Sequence, residues 1–249
     1  MYQEHLPDIR LTPFIETYWT ADGFIENGEV SSKILPDGCV DILFSFGDAS
    51  SANGLQPFLP AIVGTTTTFI EVIYAGKIQM FGIRFKPAGI TAFTRIPIHE
   101  FTNRRVDMTL VETLFDERFY DILPEKKSMT ETIQHIDNYF LNKLSRLFPP
   151  DKQMLRAVDL IEQAQGQLSL ADVASHVCLC QRHFERKFKS AVGISPKTFA
   201  KIVKFKNALH HLRNHESLFS IAIDCGYYDQ AHLIKDFKAL TGDVPAHFR

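Results

Sequence analysis

A seventeen-residue segment occurs twice in the chain, 49 positions apart, and this repeat restricts the fold more than anything else in the sequence. "HFERKFKSAVGISPKTF" runs from His183 to Phe199, and "HLIKDFKALTGDVPAHF" from His232 to Phe248. His183, Phe188, Lys189, Gly193, Pro196 and Phe199 face His232, Phe237, Lys238, Gly242, Pro245 and Phe248, six identities in seventeen. Phe184 faces Leu233 and Arg186 faces Lys235, so character is kept where identity is lost. A repeated segment implies a repeated supersecondary unit.

The pattern around each copy says which unit. Ser169-Leu-Ala-Asp172 reads as a capping box that starts a short helix, with Leu170, Val173, Ala174 and Val177 on its apolar face. Cys178-Leu179-Cys180 is a turn, and Phe184, Phe188 and Ala191 recur at helical spacing in a second helix from Gln181 to Val192. Gly193 stands where a left-handed C-terminal cap is expected. Helix, tight turn and basic second helix is the helix-turn-helix pattern, whose second helix lies in the major groove. In the other copy Ile221-Ala222 replaces Val173-Ala174, Gly226-Tyr227-Tyr228-Asp229 makes the turn, and Asp229 caps a helix from Gln230 to Leu240 closed by Gly242. Ser195-Pro196 opens a connecting helix to about His215, with Phe199, Ile202, Val203, Ala208, Leu209 and Leu212 on its apolar stripe. Its length of about 30 Å approaches the roughly 34 Å turn of B-DNA, which lets two recognition helices enter successive major grooves.

Charge is divided unevenly. Residues 1–150 carry 13 Lys+Arg against 19 Asp+Glu, and residues 151–249 carry 14 against 10. Between Cys180 and Arg213 nine basic residues accompany one acid, Glu185, a balance suited to a polyanion. The 249 residues allow two domains with buried cores. No apolar run reaches membrane-spanning length and no signal peptide pattern is seen, so a cytoplasmic protein without a membrane partner is expected. The four cysteines do not form a secreted disulfide framework, and reduced thiols are expected.

The segments "LADVASHVCLCQRHFERKFKSAVGISPKTF" and "SIAIDCGYYDQAHLIKDFKALTGDVPAHFR" resemble the DNA-binding domain of the AraC/XylS family of bacterial transcription regulators. The resemblance covers about 40% of the chain and includes Gly226-Tyr227, Gly242, Pro245 and Phe248-Arg249. Cys180 departs from it, because a serine-like cap is usual there and a thiol is a poorer acceptor. The resemblance implies two helix-turn-helix units joined by a long helix, with duplex DNA as partner and RNA polymerase as a second partner if the protein activates. Arg182, Glu185 and Arg186 are then expected at base edges, Arg to guanine and Glu185 to cytosine. The second helix offers Gln230, Ala231, His232 and Lys235, with Gln230 pairing with adenine, capping the helix or meeting a phosphate. Lys187 and Lys189 are assigned to phosphates, and His183 to packing.

The first half reads as β-rich. Pro36-Asp37-Gly38 makes a turn before a strand in which Val40, Ile42, Phe44 and Phe46 alternate with Cys39, Asp41, Leu43 and Ser45. Further strands are expected at Ala61–Val63, Phe69–Tyr74 and Ile78–Phe85, separated by Gly-containing turns. A short helical stretch follows from Lys86-Pro87 to about Phe93, then helices around Met108–Leu123 and Ser128–Leu147, and Pro149-Pro150-Asp151 divides domain 1–150 from domain 151–249. "LPDGCVDILF", "IVGTTT" and "FGIRFKPAG" resemble the N-terminal domain of some AraC-type regulators, which implies a sensor or oligomerisation module, often cupin-like, with a small-molecule effector. The fold class is therefore α+β, a β-rich domain followed by an all-α one.

Arg84, in an apolar strand, either meets Asp41 in a structural pair or binds an anionic ligand, and Trp19 with Tyr18 either lines a pocket or packs in the core. The stripe Ile133, Ile136, Phe140, Leu144 and Leu147 either forms a homodimer face or closes the N-terminal core. Two rival functions have residue requirements of their own. A metal or redox sensor would use Cys178, Cys180 and Cys225 with His176, although Cys178 and Cys225 stand where small buried residues are expected. A cupin-like enzyme would need clustered histidines and carboxylates, which residues 1–150 lack. No catalytic residue, metal or cofactor is assigned.

Overall fold

The computed structural model describes residues 1–47, 55, 59–108, 111, 129–146 and 150–248. An antiparallel sheet with strand order β1-β2-β5-β3-β4-β6 comes first. Its strands are β1 (Tyr2–His5), β2 (Ile15–Ile34), β3 (Val40–Ser45), β4 (Ala61–Val63), β5 (Ile70–Phe85) and β6 (Arg105–Asp107). The described helices are α1 (Met129–Arg146), α2 (Lys152–Gln163), α3 (Leu170–His176), α4 (Gln181–Val192), α5 (Pro196–Arg213), α6 (Leu218–Asp224) and α7 (Gln230–Thr241). The α+β class expected from sequence is the class observed.

β3 follows its alternation, with Val40, Ile42 and Phe44 buried. The two strands expected at 69–74 and 78–85 are instead one, β5, which continues through Gly76 in a left-handed conformation (φ 63°). No turn forms there because β2 pairs along the whole length of β5, from Ile15 opposite Phe85 to Ile34 opposite Ile70. β2 was not legible. From Asp22 onward both its faces are largely exposed, so its side chains carry no alternation of burial.

The β2–β5 ribbon is folded over on itself. Ile70 and Arg84 both line one cavity of about 460 Å³, yet fourteen residues of straight strand would separate them by about 46 Å. The fold lies where the pairing slips: Ile25 faces Gly76 and the next partners are Val30 and Tyr74.

α1 closes the sheet's main core. Ile136 and Phe140 are fully buried, and the Phe140 ring lies 4.7 Å from Phe93 and 5.6 Å from Phe85, centroid to centroid. Ile133 and Leu144 pack on the same core, and the Tyr18 hydroxyl donates to Asp137 Oδ1 at 2.8 Å. The stripe weighed as a dimer face is therefore spent on the core; Leu147 and all but the first and fourth residues of the helix expected over 108–123 lie outside the described residues. The stretch after Lys86-Pro87 is reduced to one 3-10 turn, Gly89–Ala92.

The helical core gathers Phe184, Phe188, Phe199, Phe205 and Phe237, all nearly or fully buried. Phe205 was missing from the expected stripe of α5, and Val203 is only half-buried. α2, not read from sequence, contributes Met154, Ala157, Val158 and Ile161, and the Asp151 carboxylate accepts from the Met154 N–H at 3.3 Å. α5 ends at Arg213 and spans about 27 Å. The Ser195 hydroxyl accepts from Thr198 N–H at 3.1 Å and Asp229 Oδ1 from His232 N–H at 2.7 Å, while Gly193 (φ 95°) and Gly242 (φ 75°) cap α4 and α7 as expected. The capping box at Ser169 is a correction. Its backbone is extended as a cap requires, but the hydroxyl accepts no helix N–H. Cys180 likewise makes no side-chain cap bond.

Candidate nucleic-acid interface and sensor cavity

α3 with α4 and α6 with α7 form two helix-turn-helix units, and α5 runs between them. Phe184 and Phe188 turn one face of α4 into the core, which leaves Arg182, Glu185, Arg186 and Lys189 exposed on the other. Neither arginine has a side-chain partner among the described residues, so both guanidinium forks are open to bases or phosphates. Glu185 accepts from Gln181 Nε2 at 2.9 Å, one turn away. His183 is exposed, contrary to its expected packing role, because it stands one residue before the buried Phe184.

Part of the basic density serves internal positioning. Lys187 lies 3.1 Å from Asp151 and donates to Gln153 Oε1 at 2.6 Å, which ties α4 to α2 and removes Lys187 from the free cations assigned to phosphate. Lys201 pairs with Asp236 at 2.9 Å. Lys204 donates to the Gly226 carbonyl at 3.0 Å and lies over the Tyr227 ring. On α7, Gln230, Ala231, His232 and Lys235 are exposed. The His232 ring stands edge-on to Tyr227 and 3.6 Å from Asp236, so it is oriented by its own unit.

The three residues singled out in the first half meet in the ribbon cavity. Asp41 Oδ1 accepts from Trp19 Nε1 at 3.0 Å and from Arg84 Nε at 3.2 Å, and Asp37 lies 3.8 Å from the same guanidinium. The structural pair read for Arg84 and Asp41 is present, and all three residues line the cavity, whereas Tyr18 packs in the main core. Trp19 can lie across β5 because Gly82 has no side chain; a Cβ there would come within 2.0 Å of the indole. Apolar walls come from Leu43, Leu55, Val72 and Met80, and Arg104 and Arg105 stand at the rim. Sequence reasoning missed these because strand pairing brings Leu43 and Arg105 to the site and the folding of the ribbon adds Val72; the adjacent Arg104-Arg105 pair was the one available signal. Burial raises the Asp41 carboxyl to about 6 against the opposing pull of Arg84.

The cysteines do not converge. Cys178 (φ 56°) and Cys180 are exposed at the first turn, so the buried position expected for Cys178 is a correction. Cys225 is buried, and Asn207 Nδ2 donates to its sulfur at 3.3 Å. Among the described residues no three His, Cys, Asp or Glu side chains are grouped as a metal site. None of the described helices is long and apolar enough to cross a membrane.

Paired helix-turn-helix units with open arginines define a DNA-binding class of protein. Residues 173–249 match the family model described as a helix-turn-helix domain, and residues 3–107 match one described as a domain of unknown function, DUF6597. The C-terminal part of the chain is similar to AraC-type helix-turn-helix domains. An uncharacterized HTH-type transcriptional regulator of Haemophilus influenzae is 28% identical over 101 residues, 40% of this chain and 34% of the relative, so the match spans about a third of that protein. Among solved structures, an AraC-type transcriptional regulator from Chromobacterium violaceum is 25% identical over 39% of this chain and 88% of its own, with a TM-score of 0.37. ToxT from Vibrio cholerae aligns over 99% of this chain and 97% of its own at 8% identity, with a TM-score of 0.49.

Proposed function

We propose that the protein is a transcription regulator that binds duplex DNA sequence-specifically through α4 and α7 and is modulated by a small molecule in the ribbon cavity. The observation that carries this reading is the repeated unit, each copy presenting a polar helix face whose first turns hold exposed side chains able to reach base edges. Arg182, Glu185 and Arg186 read one element, Gln230, Ala231, His232 and Lys235 the other, and Lys189 contacts phosphate. The division of the chain at residues 150 and 151 belongs to the same proposal: Asp151 caps α2, whose apolar face packs in the helical core. The loop of residues 64–69 meets the C-terminal ends of α4 and α7, away from their reading ends.

The cavity suits a small organic acid, with apolar walls for its body and Arg84, Arg104 and Arg105 for its charge. Trp19 is the only tryptophan and stands in the cavity wall, so its fluorescence reports occupancy directly. Titration with benzoate and octanoate should change that emission saturably in the wild type and not in Arg84→Met. Unchanged emission with every organic acid tried, together with DNA affinity indifferent to them, would remove the sensor role and leave the DNA-binding role standing.

A further inference from the structure

The last carbonyls of a helix lack partners within it. In α4 and α7 several of them are met from the other half of the molecule. Thr65 Oγ1 donates to the Val192 carbonyl at 2.5 Å and Thr102 Oγ1 to the Gly193 carbonyl at 2.6 Å. Thr68 Oγ1 donates to the Ala239 carbonyl at 3.1 Å and the Phe69 N–H to the Leu240 carbonyl at 2.9 Å. Lys33 adds a bond to the Thr241 carbonyl at 3.4 Å and an ion pair with Asp243, a favourable charge at the negative end of α7.

Thr65, Thr68 and Phe69 belong to one loop, residues 64–69, between β4 and β5. Thr102 is fastened to it through Asn103, whose N–H donates to the Thr65 carbonyl at 3.1 Å and whose Oδ1 accepts from the Thr67 N–H at 2.8 Å. The contact repeats the internal duplication. Gly193 and Gly242 are equivalent in the repeat, and a Cβ would lie 3.1 Å from Thr65 Oγ1 at the first and 2.6 Å from the Phe69 ring at the second. Four residues from Thr65 to Phe69 reach at most about 14 Å. One short loop therefore holds the ends of both helices at a bounded separation.

We infer that Thr65, Thr68 and Thr102 are positioning residues that set the distance between α4 and α7, and with it the spacing between the two DNA elements the protein accepts. The inference rests on α4 and α7 being the reading helices. Val63 and Ile70, which flank the loop, and Asn103, which fastens it, also line the cavity, so the loop joins the cavity wall to the ends of both helices.

The test uses the full-length chain and a pool of random DNA duplexes, with sequencing of the retained fragments. The wild type should enrich two elements at one spacing. The triple variant Thr65→Val, Thr68→Val, Thr102→Val, which keeps side-chain shape and loses the donors, should enrich the same elements over several spacings. Its preference for the wild-type spacing over one base pair more should fall about tenfold, the loss that one or two net hydrogen bonds allow. The matching triple serine variant keeps the hydroxyls and should restore the single spacing, which a merely structural role does not predict. If the triple valine variant does not fold, Thr68→Val alone, at an exposed position, carries the test for α7. An unchanged spacing preference in a folded valine variant overturns the inference while the reading helices stand; a wild type that enriches no sequence overturns both.

Discussion

Arginine serves opposite purposes in the two halves. In the ribbon cavity Arg84 is one-quarter exposed and locked onto Asp41. On α4, Arg182 and Arg186 are exposed and have no partner among the described residues. The first arrangement commits the Nε edge of the guanidinium to the fold, where removal of one partner strands the other, and leaves the rest of the fork to a molecule in the cavity; the second leaves the whole fork for a ligand the protein meets from outside. Whether a guanidinium is already answered by a carboxylate separates the two roles, and residue type alone does not.

The largest effect expected from this contrast is on stability at the cavity. Arg84→Met leaves the Asp41 carboxylate without its counter-charge and should cost about 3 kcal/mol near pH 8, the lower end for a broken buried pair. The loss should shrink as pH falls, since a protonated Asp41 needs no partner. In the wild type the Asp41 carboxyl sits at about 6, above its ordinary 3.8. Its contribution to stability is therefore full below pH 3.8 and lost as pH rises through about 6. Asp41→Asn should flatten this slope in denaturant titrations run across that window. An unchanged pH dependence in Asp41→Asn would contradict the assignment. The same titration makes the cavity more positive below about pH 6, so benzoate should bind more tightly there.

Next in size are the open arginines. Arg186→Ala should cost about 1–3 kcal/mol of DNA affinity and relax one base position, while folding stability stays within about 0.5 kcal/mol. Lys189→Ala should weaken all sequences alike and lower the salt slope by about one. A destabilised Arg186→Ala would erase the distinction from Arg84.

The smallest effects concern the caps. Asp229→Ala removes the 2.7 Å bond that starts α7 and should cost about 1 kcal/mol. Cys180→Ser supplies α4 with the acceptor it lacks and should stabilise by up to about 1 kcal/mol in thermal unfolding. Opposite signs from the two substitutions would show that the copies differ in local capping while sharing one architecture.

The two halves also differ in how far the sequence discloses them. The ends of α4 at Gln181 and Val192 are legible because their determinants are local: a phenylalanine pair at i and i+4, and a glycine that accepts positive φ. Single residues in that half are less so, since the exposure of His183 and the capture of Lys187 depend on which way α4 faces α2. In the first half, the Asp41–Arg84 pair is legible as one alternative, but the place of Trp19 beside it is not. The convergence of the three needs β2 and β3 paired on either side of β5, with Asp41 opposite Arg84 and Trp19 opposite Gly82. The cavity over them needs the slip at Ile25 and Val30 that brings Ile70 and Val72 back, and all of these are contacts between residues far apart in the chain. A ribbon with two wet faces leaves no periodicity by which to foresee it.

The central claim is that α4 and α7 each read their own DNA element. Its most direct test is to sequence duplexes retained from a random pool by the wild type and by Arg182→Ala, Arg186→Ala. The account predicts two enriched elements about one helical turn apart for the wild type, and loss of one with survival of the other in the variant. Identical enrichment by both proteins, or no enrichment by the wild type, would contradict it.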